Sequence, residues 1–332
     1  MMPESLTDVL ARVDEALRDG LPAALPPVPT GFPLLDSYLG GGVRAGELCL
    51  LGGPQGVGKT FFALQILRHV VHRGGAGLYV TYEHDAPTVL TRLLAAEAGD
   101  ATGTTAVSMA RIRAAIEATD GGVGVLVSRL AGTTGGVEAL ASLSSYADRL
   151  QLLRGNGRQT GLDEIEQAVR QVRDSLGAAP LVVVDYLQKV ADGADPAMDE
   201  QARVARVVEG LKDLALSVGV PVLAIVAAEK DGLATGTRLR THHLRGSSAL
   251  AYEPDVVLML HEKYDLVARH HLEYDLANAD RFRAFTVLSI EKNRSGLDHV
   301  DVEFRKRLDQ GRFEAQGAPV QESLIDGRVL AR

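Results

Sequence analysis

The stretch that most restricts the fold is "GPQGVGKT", Gly53 to Thr60, set between the apolar run "ELCLLGG" and a helix-spaced stretch at 59–73. It fits G-x-x-x-x-G-K-[ST] in full. Glycines let the backbone double back so that successive N–H groups point inward at phosphate oxygens, and the following helix adds the positive end of its dipole. Lys59 is then placed to reach β- and γ-phosphates, and the Thr60 hydroxyl to complete a Mg²⁺ shell. The expected contacts with a nucleoside triphosphate are Gly53, Pro54, Gln55, Gly56, Val57, Gly58, Lys59, Thr60 and Phe61. Which triphosphate is bound is left open by these residues.

From residue 47 onward, apolar runs alternate with helical patterns. The runs are "ELCLLGG", "AGLYVTYE", "PLVVVDY", "VPVLAIVAA", "DVVLMLHE" and "FTVLSIEK"; the helical stretches include 59–73, 86–98, 162–176 and 200–217. Such alternation predicts an α/β fold with a mainly parallel central sheet flanked by helices. "VDVEFRKRL" and "GRFEAQ" read as a terminal β-hairpin, and the glycine-rich patch at 121–136 as a loop.

In "PLVVVDYLQKV", residues 180–190, Leu181 to Val184 suit a strand covered on both faces. Asp185 therefore stands at a strand's carboxyl end, where such sheets bind ligands. It could hold Mg²⁺ through water; alternatively, it caps the following turn. Glu83 follows "AGLYVTY" in the same way and could polarise an attacking water, or simply cap the next helix.

Residues 4–19 place Leu6, Val9, Leu10, Val13, Ala16 and Leu17 at helical spacing, and the Pro-rich "GLPAALPPVPTG" then breaks the pattern. The expected division is an amphipathic linker helix and Pro-rich linker at 1–29, then one domain at 30–332. The helix is free to dock on its own domain or on a neighbouring copy. With 35 Lys+Arg against 43 Asp+Glu the net charge is -8, so the chain is not a basic coat for nucleic acid and any such contact must be local. A single cysteine, Cys49, favours a reducing compartment, with the cytoplasm as default. The acidic amino-terminal stretch does not read as an export signal, and "VGVPVLAIVAA" is too short for the ~20 residues of a membrane-spanning helix.

From about residue 4 to 315 the chain resembles the carboxyl-terminal motor domain, with preceding linker helix, of the DnaB-like replicative hexameric DNA helicases, which are RecA-like P-loop ATPases. "PTGFPLLDSYLGGGVRAGELCLLGGPQGVGKTFFALQI" resembles the entry to that fold and its Walker A motif; "LYVTYEHDAPTVLTRLLA" is similar to the motif of the catalytic glutamate, here Glu83; "LVVVDYLQKV" matches Walker B, including Tyr186-Leu187-Gln188. "HLRGSSALAYEPDVVLML" and "SIEKNRSGLDHVDVEF" resemble later segments, the second carrying cations that act on the neighbouring subunit's nucleotide. The resemblance implies ATP and Mg²⁺ as cofactors, Lys59, Glu83, Asp185, Lys292 and Arg294 as catalytic residues, Thr60 and Asp185 at the metal, and a homo-oligomer, expected to be a hexamer. As a bare sequence, "EKNR" would otherwise be an exposed charged turn.

The resemblance also places two single-stranded-DNA loops, near 191–200 and 231–246. "ADGADPAMDE" is acidic and offers no cation. The second contains Arg238, Arg240 and Arg245, a candidate grip on phosphodiesters, although a solvated surface loop would look the same. No aromatic residue lies in either loop, so backbone tracking is expected rather than base stacking. Two departures stand out: Ala227 replaces a family Gln thought to sense the γ-phosphate, and Lys230 replaces an Arg. No counterpart of the helicases' separate helical amino-terminal domain is expected. The alternative function is a RecA-superfamily ATPase of remodelling, recombination or regulatory type that does not unwind DNA; a third is a nucleotide-dependent assembly module without turnover.

Overall fold

Uninterrupted apolar runs become the inner strands of one sheet. A computed structural model describes residues 4–22, 25–119, 121, 125–191, 199–228, 238–268 and 276–325. In chain order the strands are β1 (Leu48–Gly52), β2 (Ala76–Thr81), β3 (Leu150–Arg154), β4 (Pro180–Asp185), β5 (Val222–Ile225), β6 (Val256–Glu262), β7 (Phe285–Asn293), β8 (Val300–Arg307), β9 (Arg312–Phe313) and β10 (Ala318–Pro319). β1, β2, β4 and β5 are buried at every residue. A strand with no polar alternation has no solvent face, so it requires cover on both sides.

The strand order is β10-β8-β7-β6-β1-β5-β4-β2-β3, with β9 paired to β8 off this path. From β6 to β3 every pairing is parallel; β7, β8 and β10 extend the sheet antiparallel. The mainly parallel α/β fold expected from the sequence is therefore present, as is the terminal hairpin of β8 and β9.

Successive residues of β1 serve different faces, as strand geometry requires. Cys49 and Leu51 join the core beneath α3 (Lys59–His72), while Leu48 and Leu50 join the core beneath α8 (Leu162–Leu176) and α9 (Glu200–Val218). On the first side Phe32 stacks on Phe62 at 4.3 Å between ring centroids, and Phe304 meets Phe32 edge-on at 4.9 Å. The Pro-rich entry is tied down from Val28, which exchanges backbone hydrogen bonds with Val43.

Between β2 and β3 the chain makes more structure than its glycines suggest. α4 (Ala86–Thr102) packs with α5 (Met109–Glu117), α6 (Val125–Ala131) and α7 (Gly136–Ser144) around Leu94, Ile112, Leu130 and Ala139. The glycine-rich patch at 121–136 is thus not simply a loop: it contains α6, and Gly135, at φ 78°, starts α7.

At the amino end, α1 (Leu6–Arg18) is capped by Ser5, whose hydroxyl accepts the Asp8 N–H at 3.2 Å. None of its residues is buried, and Leu6 and Leu10 are 79% and 69% exposed. Near the carboxyl end Lys263 is fully buried between Glu303 and Glu322, the latter at 2.7 Å. Among the described residues no helix is long and apolar enough to cross a membrane.

Candidate active site

The parallel strands all end at one edge of the sheet, and the side chains singled out around the glycine-rich loop gather there. Gly53 leaves β1 at φ 146°, with Leu260 O 2.5 Å from where a Cβ would stand. Gly58, at φ 100°, precedes Lys59 and α3. Only glycine tolerates both the close approach at 53 and the left-handed turn at 58. Val57 is buried beneath the loop and anchors it.

Lys59 donates from Nζ to the carbonyls of Gly53 and Pro54, both at 2.8 Å. Burial lowers its pKa to about 8, against the opposing pull of the Asp185 and Glu83 charges. The Thr60 hydroxyl donates to Asp185 Oδ2 at 2.8 Å, joining the start of α3 to the end of β4. Asp185 is 2% exposed, and its backbone carbonyl accepts the Tyr82 N–H at 2.9 Å.

Glu83 follows β2, and its backbone N–H, like that of His84, is turned towards the Thr81 hydroxyl. Burial and then the Asp185 charge push the Glu83 carboxyl up, the direction a general base requires. An open cleft of about 470 Å³ brings Lys59, Thr60, Glu83, Asp185 and Ala227 to one space.

Two further residues bear on this cleft, one from behind it and one in its lining. Tyr79, fully buried on β2, donates its hydroxyl to Asp185 Oδ2 at 2.7 Å. Arg92, on α4, lies over the Phe61 ring at 5.1 Å and lines the cleft; its Nη1 is buried without a hydrogen-bond partner among the described residues. A tyrosine inside an otherwise aliphatic buried strand was the available signal for Tyr79, because a buried phenol requires a partner. Arg92 had no signal beyond its place in a helical pattern.

Thr60 and Asp185 suit Mg²⁺, a hard cation that takes oxygen ligands and retains waters. Among the described residues there is no group of three or more His, Cys, Asp or Glu side chains that could hold a metal alone.

Lys292 and Arg294 lie elsewhere. At the far end of antiparallel β7, Lys292 donates to Ala251 and Tyr252 carbonyls at 2.9 Å, and Arg294 donates to Tyr252 O at 2.7 Å and lies 3.3 Å from Asp255. Asp255 also accepts the Leu48 N–H at 2.8 Å, at the start of β1. The phosphate loop begins at the other end of that strand. Five residues of β1 at a strand's rise separate Asp255 and Arg294 from the loop by on the order of 16 Å, while Lys292 stands level with Leu50 and turns its ammonium to the Ala251 and Tyr252 carbonyls.

The arginines of the second loop face acids. Arg238, half-buried, pairs with Asp301 and donates to Ser289, Arg240 pairs with Glu291 at 2.9 Å, and Arg245 pairs with Glu200 at 2.8 Å. Lys230 and most of the two expected DNA loops, 192–198 and 229–237, lie outside the described residues. The neck of the second loop is described. Arg245 N–H bonds Ala227 O at 2.8 Å, and the Gln188 carboxamide joins both sides, accepting from Ala227 N–H at 3.2 Å and donating to Arg245 O at 2.9 Å. Ala227 itself offers no carboxamide, and Gln188 reaches its backbone instead.

Comparison with known proteins identifies relatives of this arrangement. A family model, the DnaB-like helicase C terminal domain, matches residues 27–314. The chain is 25% identical to the replicative DNA helicase DnaB of Geobacillus stearothermophilus over 237 residues, 70% of this chain and 47% of that protein. It is 29% identical to the Rhodothermus marinus DnaB over 227 residues, 68% of this chain and 21% of that one. It therefore spans about half or less of these relatives. Among solved structures, the ATPase domain of G40P superimposes with a TM-score of 0.73 at 19% identity, covering 94% of this chain and 99% of that one. A DnaB-like replicative helicase, described with its primase interactions, gives 0.69 at 19% identity, covering 94% and 67%. These structural likenesses establish a RecA-like ATPase fold.

Proposed function

Because the chain belongs to the DnaB-like helicase C-terminal domain family, we propose that it hydrolyses ATP between subunits of a homo-oligomer, a hexamer, and moves along single-stranded DNA. The observation that carries this reading is the separation within one chain of the phosphate loop from Lys292 and Arg294. The loop leaves the carboxyl end of β1, whereas Lys292 and Arg294 stand on and just after antiparallel β7 with their side chains turned to the Ala251 and Tyr252 carbonyls, so one copy does not present both to one nucleotide. A head-to-tail arrangement of copies brings one chain's cations to the next chain's phosphates.

In that arrangement Lys59 and the amino end of α3 hold the β- and γ-phosphates. Glu83 takes a proton from water as its oxygen bonds to the γ-phosphorus and the bond to the β–γ bridging oxygen breaks, yielding ADP and inorganic phosphate. Lys292 and Arg294 of a neighbouring copy stabilise charge on the transferred group. Thr60 would hold Mg²⁺ directly and Asp185 through water; when bound, Mg²⁺ neutralises phosphate charge. Cytoplasmic replication is the setting this reading implies.

The ion-paired Arg238 and Arg240 favour the second reading, an ATPase that remodels or regulates without unwinding. On the helicase reading, Arg245, the most exposed of the three arginines, is the principal DNA contact among them. ATP turnover measured with and without single-stranded DNA, beside strand displacement on a fork, separates the readings. Stimulation and displacement are expected; DNA-independent turnover without displacement would favour the second. Lys59→Ala and Arg294→Ala should each lower turnover at least about 100-fold, with only Arg294→Ala still binding nucleotide. Full activity in either would overturn the site.

A further inference from the structure

Asp185 Oδ2 receives two hydroxyl protons, from Thr60 at 2.8 Å and from Tyr79 at 2.7 Å. The first links it to the phosphate loop. The second comes from inside the sheet. Tyr79 stands opposite Val183 on the neighbouring strand, and Asp185 is two residues further along on the same face. The phenol is fully buried in the core that contains Val89, Leu93 and Val183, so its ring is fixed by packing. Burial and the adjacent Asp185 charge hold it protonated, well above the usual tyrosine range, and it can only donate to that carboxylate.

A carboxylate oxygen carries two lone pairs, and both on Oδ2 are used. We propose that Tyr79 is a positioning residue for the metal-holding acid: together with Thr60 it fills Oδ2, fixes the carboxylate plane, and leaves Oδ1 to meet the water bound to the cation. The proposal rests on the assignment of Asp185 to Mg²⁺. Thr60 stands in the first turn of α3 beside the phosphate loop, and its own oxygen would also be needed by the cation. The tyrosine is buried in the sheet, and its bond to Asp185 asks nothing of the loop or the nucleotide.

Fluorescence titration of the full chain with ATP carrying a ribose fluorophore tests this, in EDTA and across a Mg²⁺ series. Tyr79→Phe retains the ring and removes only the donor; Val183→Ala, its neighbour in register, controls for packing. Affinity in EDTA should be equal in all three proteins. The gain in affinity on adding Mg²⁺ should fall about threefold to tenfold in Tyr79→Phe alone, with half-saturation moved to correspondingly higher Mg²⁺. A wild-type Mg²⁺ gain in Tyr79→Phe, or an equal loss in Val183→Ala, overturns the proposal. If wild type itself gains nothing from Mg²⁺, the assignment of Asp185 to the metal fails, and the two failures are told apart.

Discussion

Glu83, exposed at the cleft edge, and His261, buried in the sheet, have their protonation shifted in opposite directions. Glu83 is held at the edge of the cleft with its carboxyl pushed up by burial and by Asp185, so it can accept a proton and release it again. Glu83→Gln keeps the shape and removes the base; phosphate release should fall about 100-fold to 10,000-fold while nucleotide binding persists. His261, on β6, is 3% exposed, and burial followed by the Arg238 and Arg240 charges lowers its pKa to about 3. Folded protein therefore refuses a proton that the unfolded chain accepts near pH 6.5, and stability is lost as pH falls below that value, by about 1.4 kcal/mol per pH unit. Denaturant titrations at pH 7.5 and 5 should differ by about 2 kcal/mol more in wild type than in His261→Leu. Lys59 and Thr60 were legible from the spacing of the phosphate loop, and Asp185 and Glu83 from their places after apolar strands together with the family resemblance; the structure brings the four to one cleft. Tyr79 and Arg92 were not, since their partners lie on other strands and helices and no local pattern distinguishes them from packing residues.

At the scale of elements, the second loop is closed at its neck by the Gln188 carboxamide, three residues beyond Asp185. A shift of the chain after β4 is thereby felt on both sides of that neck. Gln188→Ala should loosen it: two hydrogen bonds of about 1 kcal/mol each would be lost, and amide exchange at Ala227 and Arg245 should accelerate roughly tenfold or more. Exchange at wild-type rates would show the neck to be held by the Ala227–Arg245 backbone pair alone. The inner strands could be read from sequence because burial on both faces removes polar alternation. β3 could not: at the sheet edge its residues are half-buried or exposed, and "LQLLR" announces neither face. α6 was hidden by the surrounding glycines; Leu130, buried against Ile112 and Ala139, shows that tertiary packing outweighs weak local propensity there.

For the whole molecule, the sheet keeps Lys292 and Arg294 apart from the phosphate loop, and in the proposed assembly the amino end bears on how copies meet. α1 offers Leu6, Leu10 and Leu17 to solvent and buries none of its residues in its own chain. Its docking on an adjacent copy, the option kept open by the Pro-rich segment that follows, predicts that deletion of residues 1–25 lowers the mass seen by light scattering while thermal melting of the remaining domain is unchanged. An oligomer of undiminished mass would sink that role. A helix of 13 residues is marginal in water when nothing covers it. If it does dock on a neighbouring copy, its folding is tied to concentration: the segment would order along with the assembly and lose helix on dilution, so the amino end would report how many neighbours a molecule has.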